Sequence, residues 1–173
     1  QAVESKELRD EIPSRKSKKF DVLESNHLPA WFVAVRSLSN PVVSAYLQAL
    51  VLTGARREEM AGLRWQDVDF RWGSIWVKDK VAEEGRKIPL TPYMSRLLSA
   101  LPRRNQWVFS SPAAKLNEGR IAEPRLAHNR ALAEANLPPL TLHGLRRTFI
   151  SLAEWVEMPT GIVAEIVGHK PSA

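Results

Sequence analysis

Thr141-Leu-His-Gly-Leu-Arg-Arg-Thr-Phe-Ile150 is the stretch on which the reading of this chain turns. His143 and Arg146 stand three residues apart, so on a helix they share a face. Leu145, Phe149, Leu152 and Val156 recur at helical spacing and predict a core-facing stripe. The expected element is a helix anchored by its apolar face, with an imidazole and a guanidinium offered from its first turn. A guanidinium gives planar, charge-assisted hydrogen bonds to phosphate oxygens. An imidazole moves a proton near neutral pH. The pair therefore suits a phosphate that is about to react.

Two further stretches give the pair its weight. Upstream lies Thr53-Gly-Ala-Arg-Arg-Glu-Glu59, and downstream Val167-Gly-His-Lys-Pro171. Residues 42–52 are apolar almost all round, which predicts a central buried helix starting after Asn40-Pro41 and stopped by Gly54. A short helix follows over 56–63. It has Glu58 and Glu59 in its first turn, where the helix dipole favours them. Arg56 and Glu59 are spaced to pair, a bond worth little on an open surface.

After residue 66 the period changes from helical to two. Val68 and Phe70, Ile75 and Val77, then Ile88 and Leu90 predict a small antiparallel sheet. Val81-Ala-Glu-Glu-Gly-Arg86 is the turn between its second and third strands. Helices are expected after Thr91-Pro92 with Tyr93, Leu97, Leu98 and Leu101 inside, over 124–136, and over 161–167 with Ile162, Val163 and Ile166 inside. An earlier helix has Asn26 as its N-cap, with Leu28, Trp31, Phe32, Val35 and Leu38 on its apolar face. The fold class is thus mainly α with a small antiparallel β-sheet.

Composition narrows the function. There is no cysteine, hence no disulfide framework and no thiolate nucleophile. With four histidines and no cysteine a metal site is not expected, and no cofactor is expected. Walker A loops, dinucleotide fingerprints and His-Glu-x-x-His pairs are missing. The formal net charge is +6 and the pI about 9.9, a footprint of nucleic-acid binding. Residues 1–24 are charged and poorly periodic. Arg15, Lys16, Lys18 and Lys19 form a basic run suited to lie along a DNA backbone.

In order and spacing the three stretches resemble the catalytic domain of the tyrosine recombinases, the phage-integrase family. The likeness runs from about Pro41 to the last residue. It implies cleavage and rejoining of double-stranded DNA through a 3′-phosphotyrosyl intermediate, without a cofactor, in a bacterial cytoplasm and by a tetramer on paired sites. Residues 25–173 then form the breaking and rejoining domain, behind a 1–24 arm that the family joins to a separate DNA-binding domain.

By the same resemblance Arg56, His143, Arg146 and His169 match active-site positions, and Glu59 the acidic support. Arg57 is the neighbouring alternative to Arg56. The family places a catalytic lysine in the hairpin; Lys80 is the first choice and Lys78 the second, since strand alternation sets both on one face. The family nucleophile is a tyrosine shortly after the motif holding His169, and it is not among these residues. Tyr46 and Tyr93 occupy core-like helical positions. The expectation is a fragment lacking its nucleophile, or a naturally inactive relative that still binds DNA.

Overall fold

The computed structural model describes residues 21–78, 84–112 and 117–169. Seven α-helices lie among the described residues: α1 (Leu28–Arg36), α2 (Pro41–Thr53), α3 (Arg57–Ala61), α4 (Pro92–Ser99), α5 (Arg125–Glu134), α6 (Leu142–Trp155) and α7 (Thr160–Val167). The first six contribute to the main core, and Val163 and Val167 of α7 form a smaller cluster with Ala153 of α6. Between α3 and α4 lies a three-stranded antiparallel sheet of β1 (Val68–Asp69), β2 (Ser74–Val77) and β3 (Arg86–Pro89), in that order. The expected class, mainly helical with a small antiparallel sheet, is the one observed.

Helix α2 is the centre. Asn40 Oδ1 accepts the backbone N–H groups of Val42 and Val43, Pro41 fills N1, and the helix is buried from Val42 to Thr53 at nearly every position. It ends at Gly54, whose φ of 62° is the left-handed conformation that glycine adopts without strain. A Cβ there would come 2.4 Å from the Phe149 ring, so α6 lies directly against the end of α2. Helices α1, α3, α4 and α6 all pack on α2. Helix α1 also packs on α5, and the buried Trp31 Nε1–H donates to His128 Nε2 across that contact at 3.2 Å.

The sheet register, Val68 opposite Ile75 and Ile75 opposite Ile88, turns Ile75, Val77 and Ile88 into the core and leaves Trp76 half-exposed. The N-terminus of α6 is fixed from a distance. Asp21, itself buried, accepts the N–H and the hydroxyl of Thr141, and Arg147 donates to the same carboxylate. Thr141 Oγ1 in turn accepts Gly144 N–H, completing the cap.

Four local expectations are corrected. Asn26 is not an N-cap: Ser25–His27 form a 3₁₀ turn, Glu24 N–H donates to His27 Nδ1, and α1 begins at Leu28. Proline at the second helical position permits that later start. Val156 lies one residue past α6 and is 58% exposed, because the chain turns away there through Glu157 at φ 57°. In α7 the buried pair is Val163 and Val167, four apart on one face, while Ile162 is exposed. Along α4 the fully buried residues are Met94 and Leu98, with Tyr93 and Leu97 only partly covered.

Candidate phosphate site

The end of α2, the start of α6 and the end of α7 meet at one place, and arginines bind them together. Arg146 is 4% exposed; its Nη1 donates to Gly54 O at 2.5 Å and its Nη2 to Val167 O at 2.8 Å. Arg56 caps α3 immediately after the Gly54 turn. Its backbone N–H and its Nη1 donate to the two oxygens of Glu59, each at 2.8 Å, and its Nη2 reaches Gly168 O at 3.3 Å. A third arginine, Arg86 at the start of β3, donates to both Glu59 oxygens and to Ile166 O. Three consecutive carbonyls at the C-terminal end of α7 thus each hold a different guanidinium. That end of a helix is its electronegative end, and it offsets the mutual repulsion of the cations.

The charges leave their mark on four groups of the site. Burial pulls Arg146 down to about 10, and nearby Arg56 pulls in the same direction. Burial alone would raise the Glu59 carboxyl. The hydrogen bonds from Arg86 and Arg56 outweigh it and hold that carboxyl below the usual carboxylate range. His143 stands exposed on the first turn of α6; burial of part of its ring, then Arg147 and Arg146, lower it. His169 follows Gly168, which is left-handed at φ 69°, and its N–H caps α7 at Ala164 O. Burial followed by Arg146, Arg56 and Arg86 lowers it too. Both imidazoles therefore feel the same cluster of cations and favour the neutral form that accepts protons and hydrogen bonds.

Arg56, His143 and Arg146 line a cleft of about 710 Å³ that also takes in Lys78, Trp76 and Trp107. Arg57 lines it as well and pairs there with Glu123, which also holds Arg125 at 2.8 Å. Of the two neighbouring arginines, Arg56 is the one joined to the end of α7. Lys80 and the run of Arg15, Lys16, Lys18 and Lys19 lie outside the described residues. Reasoning from sequence missed Arg86 and Asp21. A single arginine behind a turn and a single aspartate before a helix carry no spacing signal.

Neither tyrosine faces the cleft. Tyr46 is 2% exposed and its hydroxyl donates to Arg57 O; burial, with Glu58 nearby, pushes its ionisation well up. Tyr93 donates to Gln48 Oε1.

Three arginines gathered on one helix end, with two histidines beside them that are lowered by burial and by those charges, make a cationic site suited to an anion such as phosphate. Residues 22–173 match the phage integrase family, and the chain belongs to that family. It is 57% identical over 173 residues to prophage integrase IntF of Escherichia coli (strain K12), a match covering 96% of this chain and 36% of that protein. It is 28% identical over 96 residues to the integrase of Shigella phage Sf6, covering 55% of this chain and 25% of that one. The chain thus spans about a third of the length of the first of these relatives.

Among solved structures, XerA recombinase shares the fold at a TM-score of 0.72 and 21% identity, over 91% of this chain and 57% of its own. The Tn1549 transposon integrase in complex with transposon right end DNA does so at 0.75 and 16%, over 94% and 61%.

Proposed function

We propose that residues 25–173 are the DNA breaking and rejoining domain of a prophage-type site-specific integrase, working on double-stranded DNA in a bacterial cytoplasm. The observation that carries this reading is the convergence of Arg56, Arg146 and His143 on one cleft, with His169 electrostatically coupled to the same arginines. Arg56 and Arg146 neutralise charge that grows on the non-bridging oxygens as the phosphate is attacked, the effect that usually dominates such catalysis. His169 adds a hydrogen bond there. His143 takes the proton from an attacking tyrosine and later returns it. Lys80 protonates the 5′ oxygen as its bond to phosphorus breaks. The bond energy is kept in the phosphotyrosyl link, so no triphosphate is consumed. Glu59 holds Arg56 in place.

The attacking tyrosine is neither Tyr46 nor Tyr93: the buried Tyr46 donates to Arg57 O, and the Tyr93 hydroxyl, outside the cleft wall, donates to Gln48. The whole integrase acts as a tetramer on paired sites, and Arg15, Lys16, Lys18 and Lys19 neutralise backbone phosphates of the DNA.

Gel-shift titrations with duplex DNA across a range of salt concentrations test the binding. Affinity should fall linearly on a log–log plot, and alanine at the four basic positions of the arm should flatten the slope. The 173-residue chain should bind without forming a covalent complex on a nicked suicide substrate. A full-length relative carrying the same site should form it and lose it on Arg146→Ala. Binding that ignores salt would sink the DNA reading, and an adduct formed by this chain itself would put the nucleophile at Tyr46 or Tyr93. A full-length protein that binds but never forms the adduct would be an inactive DNA-binding relative.

A further inference from the structure

Arg86 is the cation of the cluster that does not reach the cleft. Its side chain is 11% exposed and is not part of the cleft wall, although Arg56, Glu59 and Arg146 are. It grips two elements from behind that wall. Nη1 and Nη2 donate to the two oxygens of Glu59 at 2.9 and 2.7 Å, and Nε donates to Ile166 O at 2.6 Å. Glu59 Oε1 is shared between Arg86 and Arg56.

We propose that Arg86 is a positioning residue of the phosphate site, holding Arg56 through Glu59 on one side and the His169 turn through the end of α7 on the other. This rests on the phosphate-site reading above. Three features support it. Each of the three guanidinium nitrogens donates to a partner, and the partners belong to two different elements, which a lysine's single ammonium does not reproduce. The fit at the turn is tight: a Cβ on Gly168 would lie 2.8 Å from Arg86 Nη1, so the glycine that turns the chain toward His169 also makes room for the guanidinium. Glu59 is also almost fully covered, at 4% side-chain exposure, so its bonds to Arg86 are shielded from competing water. Loss of Arg86 leaves the buried Glu59 carboxylate bonded to Arg56 and free to draw that guanidinium away from the cleft. It also frees the Ile166 carbonyl and loosens the turn before His169.

The test follows inorganic phosphate binding by NMR in the 173-residue chain, reading the side-chain N–H signals of Arg56 and Arg146 and the His169 ring. Arg86→Ala, Arg86→Lys, Glu59→Gln and the Arg86→Ala/Glu59→Gln pair are compared with the parent. The parent should show a saturable response at both arginines. Arg86→Ala and Arg86→Lys should each weaken phosphate by about tenfold, and adding Arg86→Ala to Glu59→Gln should cost little more, as expected for residues acting through one another. Arg86→Lys keeps the charge and serves where the alanine variant does not fold. Unchanged affinity in the variants, or complete rescue by lysine, would overturn the proposal, as would full additivity with Glu59→Gln. Absence of any response at Arg56 and Arg146 in the parent would instead bring down the phosphate-site reading and the proposal with it.

Discussion

The Arg146 guanidinium donates to the carbonyl of Gly54, 92 positions earlier in the chain. The residue that ends the central helix is therefore tied to the helix that carries His143. One side chain serves as a structural tie among α2, α6 and α7 and as a phosphate ligand in the proposed chemistry.

Arg146→Ala should consequently cost stability as well as activity. It removes two buried charge-assisted bonds and leaves the carbonyls of Gly54 and Val167 without this donor. The expected loss is on the order of 3 kcal/mol, read from urea unfolding midpoints. A variant as stable as the parent would show that the carbonyls find other donors.

Gly54→Ala should be destabilising by about 2–4 kcal/mol, since the new methyl group meets a left-handed backbone and the Phe149 ring together. In the Phe149→Leu background, with the ring gone, the penalty should shrink toward the backbone part alone. Equal penalties in the two backgrounds, measured by thermal or chemical unfolding, would mean that the ring already yields.

His128 predicts an acid-sensitive core. Burial lowers its pKa from 6.5 to about 4, and it is 1% exposed, so the folded chain prefers the neutral ring that accepts from Trp31. The unfolded chain binds the proton more readily. The stabilisation is therefore whole above about 6.5 and lost as pH falls toward 4, by an amount on the order of 3 kcal/mol. Unfolding free energies at several pH values should show this slope in the parent, and a flatter one in His128→Gln. An identical slope in both would assign the acid sensitivity to other groups.

The two site histidines should respond to DNA. In the chain alone both should titrate below 6.5, for the burial and cationic reasons given above. Duplex DNA brings phosphate negative charge beside Arg56 and Arg146, and both values should rise. Imidazole chemical shifts followed through pH with and without DNA measure this. A rise at His143 without one at His169 would place the bound phosphate away from the end of α7.

The frame of the fold is readable from local signals. Asn40-Pro41 and Gly54 mark the ends of α2, and the residues between them are apolar enough to announce burial on all sides. Alternation around Ile75 and Ile88 gives the sheet, because each strand has one face on the core. Spacing also assembles Arg56 with Glu59 and His143 with Arg146, since those pairs lie within one turn of helix. Arg86 was invisible because its meaning lies in partners 27 and 80 positions away. Asp21 was invisible for the same reason, its contacts lying 120 positions down the chain. Ile162 and Val156 were misread because apolar type was taken for burial at helix ends, where the chain changes direction and the period no longer fixes the face.

The clasp at the end of α7 separates what aims from what reacts. Two main-chain oxygens hold Arg146, and neither changes its charge in water at any pH the fold survives. Among the groups of the clasp, Glu59 is the carboxylate, and the hydrogen bonds from Arg86 and Arg56 hold it ionised below the ordinary carboxylate range against the pull of burial. Beyond burial, the arginines that the clasp holds in place also lower both histidines, so the fixed frame takes part in setting the pH at which the site switches.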